Sequence, residues 1–152
     1  MKKLITLFLT VALFSCGASK NVKSKHKIIK GNWTLNTITY SKTGNYNVTF
    51  FNDTTKDCLE GSSWKFVPNN NSGVYTVNDT DCNAGDRNFI FVIQEIDPVS
   101  GYYDFMLKPK NNEGNVGYRL DLKELTETTM LWHQKINVNG TQFLINMNFT
   151  KQ

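Results

Sequence analysis

Two runs of alternating apolar and polar side chains meet at a two-residue turn in residues 127–149, which read ETTMLWHQKINVNGTQFLINMNF. Asn139 and Gly140 form the strongest short hairpin signal in the chain, because both residue types accept the positive φ angles of a type I′ turn. On either side of the turn, every second residue is apolar, and such residues share one face of a strand. This stretch therefore predicts an antiparallel hairpin with one apolar face.

The same alternation extends through most of the chain, with turn residues recurring about every ten positions. The candidate strands are residues 31–40, 46–51, 62–67, 74–77, 89–96, 102–108, 116–125, 127–138 and 142–149. No long helical pattern separates them. Closing such a series on itself removes exposed strand edges, so we expect an all-β, antiparallel, up-and-down barrel of eight or nine strands. The 89–96 run is almost continuously apolar, which indicates a strand covered on both faces or packed against the N-terminal segment.

The predicted inner face of this barrel is rich in large apolar side chains. A barrel of eight strands either fills its interior with side chains or holds one small ligand. The candidate ligand-binding residues are Leu35, Tyr46, Val48, Phe50, Trp64, Phe66, Tyr103, Phe105, Tyr118, Leu120, Trp132, Ile145 and Met147. An apolar cavity with a few hydroxyl groups suits a small hydrophobic molecule. The alternative is a solid core, which would favour a structural or protein-interaction module.

The N-terminus has the layout of an export signal. Lys2 and Lys3 precede an apolar run at 4–14, and Ser15-Cys16-Gly17 follows it. The run is about half of the ~20 residues that a membrane-spanning helix needs, and the order of charged, apolar and small residues is that of a secretory signal. A plain secretory signal and a retained helix are the alternatives. The arrangement ending at Cys16 resembles the lipobox of bacterial lipoproteins, and this resemblance implies that Cys16 is acylated and becomes the mature N-terminus.

This interpretation divides the chain into a signal peptide at 1–15, a lipidated Cys and basic tether at 16–30, and a barrel domain at 31–152. The tether carries five lysines and no acid between residues 20 and 30, whereas all 13 Asp and Glu lie in the domain. We expect a solvated tether near anionic head groups. The domain itself is mildly acidic, so no nucleic-acid partner is expected. Residues 17–30 lack acidic sorting signals, which favours the periplasmic side of a bacterial outer membrane.

The cysteine count supports export. Of three cysteines, acylation of Cys16 leaves Cys58 and Cys82. Exported chains meet oxidising conditions, so this pair is expected to form a disulfide. Two free thiols remain the alternative. A metal site is disfavoured because no His lies near either Cys.

A Gly-x-Trp motif opens the first candidate strand at Gly31-Asn32-Trp33. Placed before a series of hairpin-linked strands and after a lipobox, it resembles the lipocalins, and within them the lipocalin-like lipoproteins of the Bacteroidetes type. The resemblance implies that Trp33, with Gly31, closes one end of the barrel beneath a stacked cation. No late Arg is available for that role, so Lys135 or Lys151 takes it. The resemblance also implies a monomer that binds a small hydrophobic molecule and needs no cofactor.

Catalysis has little support in the sequence. His26 lies in the basic segment and His133 at an outward strand position, and no nucleophile, zinc or phosphate-binding motif is present. Six acidic residues flank the two cysteines of the expected disulfide: Asp53, Asp57, Glu60, Asp79, Asp81 and Asp86. Oxygen ligands suit Ca²⁺, but the spacing fits no loop motif, and a solvated acidic patch is the favoured interpretation. We therefore expect a binding protein rather than an enzyme.

Overall fold

The computed structural model describes residues 19–110, 116–138 and 140–152. The elements are helices α1 (Lys20–Ile29) and α2 (Lys56–Leu59), a 3₁₀ helix at Pro68–Asn70, and strands β1 (Gly31–Tyr40), β2 (Ser63–Val67), β3 (Ser72–Val77), β4 (Gly85–Ile96), β5 (Tyr103–Pro109), β6 (Tyr118–Leu125), β7 (Thr129–Val138) and β8 (Thr141–Lys151). The predicted signal peptide, Cys16, Asn139 and residues 111–115 lie outside the described part. Within that part, no helix has the length and apolar character needed to cross a membrane.

The eight strands form a closed antiparallel barrel in sequence order, and β1 pairs with both β2 and β8. The predicted up-and-down barrel is confirmed. The ninth candidate, 46–51, is not a strand: Phe50 forms only an isolated bridge with Thr54. Phe51 and Asn52 have φ angles of 55° and 54°, which reverse the chain there. The apolar alternation that suggested a strand belongs instead to a loop whose side chains turn toward the barrel.

A bulge in β1 changes which residues face the interior. The pairing of β1 with β8 shifts between Leu35 and Thr37, and a bulge of this kind moves later side chains to the opposite face. Uninterrupted alternation from Trp33 would place Thr37 and Thr39 on the inward face, and this expectation is wrong. Ile38 is buried instead, and both threonines are exposed.

Residues 20–29 form a helix packed on the barrel, not the solvated tether that the sequence predicted. Val22 and Ile29 are buried, and residues seven apart lie on one face of a helix. The Ser19 Oγ caps the helix by accepting a hydrogen bond from the Val22 amide at 3.3 Å. Helix α1 contacts β4, β6 and the 3₁₀ helix. It therefore covers the barrel end at which β1 begins, called the closed end below.

The opposite end carries the β1–β2 loop (residues 41–62) and the β3–β4 loop (78–84), and is called the open end. Strand β4 passes between the two ends with Phe89, Phe91 and Ile93 inward. Its outer face is not covered along its length as the sequence suggested, because Ile90 and Val92 are 39% and 41% exposed. The contacts of helix α1 with β4 leave both of these side chains exposed.

Candidate functional site

The closed end is built around Trp33, which is fully buried. Its Nε1 donates a hydrogen bond to the Ile29 carbonyl at 2.8 Å. Lys151 Nζ lies 5.2 Å from the centre of the Trp33 ring and donates to the Ile28 carbonyl at 2.7 Å. Lys151 thus supplies the cation at this end, whereas Lys135 forms an ion pair with Asp121 at 2.6 Å.

Gly31 begins β1 beside this contact with a φ angle of +120°. A Cβ at this position would lie 3.4 Å from Lys151 Cε, and such a φ strains any L side chain. The two barrel-closing positions suggested by the sequence, Gly31 and Trp33, therefore lie together at the start of β1, against α1 and the end of β8.

Most of the predicted ligand-binding side chains form a packed interior. Nine of them are at most 1% exposed: Leu35, Phe50, Trp64, Phe66, Phe105, Leu120, Trp132, Ile145 and Met147. Trp132 has ring centroids of Phe105 and Phe149 at 4.8 and 4.6 Å. Trp64 stacks on Tyr75 at 4.6 Å. The sequence left a ligand cavity and a solid core both open. In the structure these rings contact one another, since aromatic pairs at 4.5–7 Å are in direct contact.

At the open end, Phe51 of the β1–β2 loop covers the core. Sequence reasoning did not select this residue. Phe51 is buried, and its ring lies 6.0 Å from that of Trp64 and 5.2 Å from that of Tyr118. Its left-handed backbone, unusual for an aromatic residue, is sterically costly. The side chain of Phe51 therefore acts as a plug above the core.

Asp53 fixes the turn that follows Phe51. Tyr75 Oη donates to Asp53 Oδ2 at 2.9 Å, and Arg87 Nε donates to the same oxygen at 2.9 Å. Burial raises the pKa of Tyr75, and the negative charge of Asp53 raises it further. Tyr75 remains neutral and available as a donor. Asp53, which the sequence assigned to a solvated acidic patch, is an exposed residue whose carboxylate is held by a cation and a hydroxyl.

A disulfide joins Cys58 in α2 to Cys82 in the β3–β4 loop, with the two Cα atoms 5.8 Å apart. The pairing agrees with the expectation from the cysteine count. It ties the loop that carries Phe51 to its neighbour across the open end. Among the described residues, no cluster of His, Cys, Asp and Glu has an arrangement suited to a metal ion.

A cleft of about 530 Å³ opens between the β1–β2 loop and the end of β1. It is lined by Tyr40, Gly44, Asn45, Tyr46, Asn47, Val48, Thr55, Lys56 and Asp57. Two of the predicted ligand-binding residues, Tyr46 and Val48, are in this lining. The cleft therefore lies at the mouth of the barrel rather than in its interior.

Aromatic rings form one wall of the cleft. The Tyr46 ring lies 5.3 Å from that of Tyr40 and 4.6 Å from that of Phe143, which is buried behind it. Lys56 Nζ lies 5.6 Å from the centre of the Tyr40 ring and 3.7 Å from Glu60. Burial raises the pKa of Tyr40, and the charges of Asp57 and Glu60 add to this effect. The cleft thus combines an apolar wall with charged and amide groups.

Two predicted ligand-binding residues lie elsewhere. Tyr103 is half-buried at the closed end, with Lys25 Nζ 5.6 Å from its ring centre. Tyr118 is half-buried beneath Phe51. The predicted ligand-binding residues therefore lie in four places. Nine are in the packed core, Tyr103 is at the closed end, Tyr118 contacts Phe51, and Tyr46 and Val48 line the cleft.

The architecture is that of a lipocalin-like barrel. No protein-family model matches the chain, and no curated protein matches it. Among solved structures, the chain is similar to the crustacyanin lipocalin apocrustacyanin C1, with 12% identity and a TM-score of 0.50 over 89% of this chain and 71% of that one. It is also similar to lobster apocrustacyanin A1, with 13% identity and a TM-score of 0.46 over the same shares. The likeness to apocrustacyanin C1 supports the fold and assigns no ligand.

Proposed function

We propose that this protein is a membrane-anchored, lipocalin-like binding protein of the bacterial cell envelope that takes a small hydrophobic molecule at the mouth of its barrel. The observation that carries the proposal is the cleft of about 530 Å³ with an aromatic wall of Tyr40 and Tyr46. Ligand sites of this kind occupy about 300–1,000 Å³ and combine apolar walls with a few polar groups.

The packed interior favours a ligand at the mouth over one inside the barrel. Trp64, Tyr75 and Phe51 occupy the space that a ligand would need to enter more deeply. Displacing Phe51 would also disturb the turn held by Asp53 and Arg87. Binding in the cleft requires neither change. The proposed site therefore uses Tyr46 and Val48 but not the other predicted interior residues.

The lining supports one class of ligand. Tyr40 and Tyr46 offer ring faces, and the rim adds the Lys56 ammonium, the Asp57 carboxylate and the Asn47 amide. A molecule with one aromatic or apolar part and one polar end satisfies both kinds of surface. A purely aliphatic molecule would leave the polar rim without partners, which is unfavourable when the rim is desolvated.

The proposed cellular setting is export, acylation of Cys16 and anchoring of the acylated protein at the outer membrane. The Cys58–Cys82 disulfide supports an oxidising compartment. A single acyl chain binds membranes only weakly, whereas two membrane attachments hold a protein stably. The mass of the N-terminal peptide from protein made in its own host tests this step: an acylated Cys16 is expected, and an unmodified residue with residues 1–15 retained would refute it.

The binding proposal is tested by native mass spectrometry of protein from its own host, followed by titration of the purified protein with 1-anilinonaphthalene-8-sulfonate as an amphipathic aromatic probe. We expect saturable fluorescence that Val48→Asp weakens at least fivefold. The matched control is Thr49→Asp, which adds the same charge at the exposed neighbouring residue outside the lining. Equal affinity in both variants, or no probe binding and no co-purified molecule, would refute the cleft as a ligand site.

The second candidate function is a structural or protein-interaction module of the envelope. It is favoured by the solid interior and by the exposed apolar residues Ile90, Val92 and Val116. Affinity capture with envelope extract discriminates the two functions. A partner that is retained by Val48→Asp and lost by Ile90→Glu would support the module, whereas a partner insensitive to Ile90→Glu would argue against this surface.

A further inference from the structure

Helix α1 presents a basic face at the closed end. Among its exposed residues are Lys20, Lys23 and Lys27, and residues 19–30 contain no acid. Lys25 is partly buried and donates to the Leu125 carbonyl at 3.1 Å. The helix is held on the barrel by that contact and by its apolar side. The three exposed lysines therefore project into solvent from a helix whose backbone is held on the barrel.

An apolar turn adjoins the beginning of this helix. Ser19 donates to Glu95 at the end of β4 twice, from its amide at 3.2 Å and its Oγ at 3.0 Å. Just beyond Glu95, Ile96 is 47% exposed and Val99, at the tip of the β4–β5 turn, is 93% exposed. The first basic turn of α1 and this apolar tip therefore lie side by side.

We propose that the closed end docks on an anionic lipid bilayer, with the α1 lysines at the head groups and the Val99 turn entering the interface. Clustered lysines are attracted to anionic lipids, and exposed apolar side chains beside them bury surface at the head-group boundary. Ser19, the first residue that the structure describes, lies at this same surface. Since three residues span at most ~11 Å, Cys16 would lie within that distance of Ser19.

The acids at the closed end set the tilt. Asp97 is paired with Arg119 at 3.2 Å, and Glu95 accepts the bonds from Ser19. Glu124 and the exposed Glu127 lie at the β6–β7 turn. Repulsion by anionic lipid turns the β6–β7 side away, so the β4–β5 turn meets the bilayer. The open end and its cleft then face away from the membrane, accessible to a dissolved ligand.

Brominated phospholipids test this orientation. The full chain is reconstituted into phosphatidylglycerol-containing vesicles as Val99→Trp and, separately, as Thr80→Trp, which lies in the β3–β4 loop at the open end. The three native tryptophans are at most 1% exposed, and wild type gives their baseline. We expect bromine quenching of Val99→Trp emission to exceed that of Thr80→Trp several-fold, and to fall in high salt or in vesicles of phosphatidylcholine alone.

Charge variants show whether α1 sets the orientation. Changing Lys20, Lys23 and Lys27 to Gln in Val99→Trp is expected to reduce the excess quenching at least twofold. The matched control changes three exposed lysines outside α1 to Gln: Lys42, Lys65 and Lys110. Near-ultraviolet circular dichroism verifies folding. Equal quenching at both Trp positions, or quenching that survives the α1 change, overturns the proposal and leaves this surface to a protein partner.

The inference rests on the proposed membrane attachment for its biological setting, but its readout is separate. An unmodified Cys16 with strong quenching of Val99→Trp refutes the acyl anchor and keeps the docking surface. An acylated Cys16 with equal quenching at both positions does the reverse. Neither result depends on probe binding in the cleft, which lies at the other end of the barrel.

Discussion

Lys151 and Trp33 meet at the closed end, where Lys151 Nζ lies 5.2 Å from the Trp33 ring centre. The two residues are 118 positions apart and belong to β1 and β8, the strands that close the barrel. The same ammonium binds the Ile28 carbonyl, so one side chain joins the last strand, the first strand and α1. This contact fixes the helix over the barrel seam.

Lys151→Met should lower the free energy of unfolding by about 1–2 kcal/mol, because it removes a cation–π contact and a charged hydrogen bond while retaining much of the apolar stem. Urea denaturation measures the change. Lys151→Arg is expected to restore most of the loss, since guanidinium stacks on indole. Lys42→Met, at an exposed loop position, is the control. An unchanged midpoint for Lys151→Met would contradict the assigned role.

Replacing both Cys58 and Cys82 by Ser should destabilise the protein by about 3.5 kcal/mol in the chain-entropy model, given their sequence separation of 24. Denaturation with and without dithiothreitol measures the effect. Wild type should lose stability on reduction, whereas the double variant should not respond. A wild type that is insensitive to reduction would support the alternative of free thiols.

Phe51→Ala should cost about 3–4 kcal/mol, because a buried ring is lost and the space above Trp64 is left empty. Asn52→Gly is the matched test of the backbone, since Gly accepts the φ angle of 54° without strain. That variant should be neutral or slightly stabilising in the same urea assay. Equal losses in both variants would show that the turn conformation, not the Phe51 ring, is what matters.

Gly73 in β3 leaves room for an aromatic ring. A Cβ at Gly73 would lie 2.2 Å from Phe89 Cζ and 2.6 Å from the Lys65 carbonyl oxygen. Gly73→Ala should therefore cost about 1–3 kcal/mol through overpacking. The control is Gly117→Ala, whose Cβ would meet only the flexible end of Met106 at 3.0 Å among close contacts. Thermal denaturation should show a clearly larger loss for Gly73→Ala.

Stability should fall as the pH drops from about 7 to 5. Burial lowers the pKa of both His26 and His133 below the usual 6.5, and Lys123 lowers that of His133 further despite the opposing charge of Asp121. In this pH range the two histidines bind more protons in the unfolded chain than in the folded chain, so the folded state loses stability as the pH falls. His133→Gln should flatten the slope in urea titrations at several pH values.

The pH range identifies the groups responsible. The pKa of Asp97 is lowered, chiefly because its carboxylate accepts a hydrogen bond from the Val99 amide. The contribution of Asp97 to stability is therefore lost only below the ordinary carboxyl pKa of 3.8. A loss between pH 7 and 5 that is unchanged by either His26→Gln or His133→Gln would contradict the histidine assignment.

Local sequence rules predicted much of the barrel. They did not predict which β1 residues face inward after the bulge, or that Phe51 of the β1–β2 loop covers the core. The hairpin around Gly140 followed from turn chemistry and period-two alternation, which act between neighbouring residues. The same alternation misled at residues 46–51, since a loop that folds back over an open barrel also needs apolar side chains. Likewise, the spacing of apolar residues did not reveal the bulge after Leu35, because the bulge depends on how β1 pairs with β8.

The candidate site was only partly predictable. Tyr46 and Val48 were selected for their apolar character, and they line the cleft. Phe51 was not selected, because the alternation placed Phe50 inward and Phe51 outward. A positive φ at a bulky residue carries no clear sequence signal. Only the folded loop shows that both rings are buried.

By itself the sequence determined the class of fold, the order of its strands and the cysteines available for pairing, because alternation, turn residues and composition act locally. Only the tertiary structure decided whether the barrel is filled, where α1 packs and which lysine covers Trp33. Those outcomes depend on the summed volumes and contacts of side chains far apart in the chain. Trp64, Trp132 and Phe149 meet only once β2, β7 and β8 have closed around them.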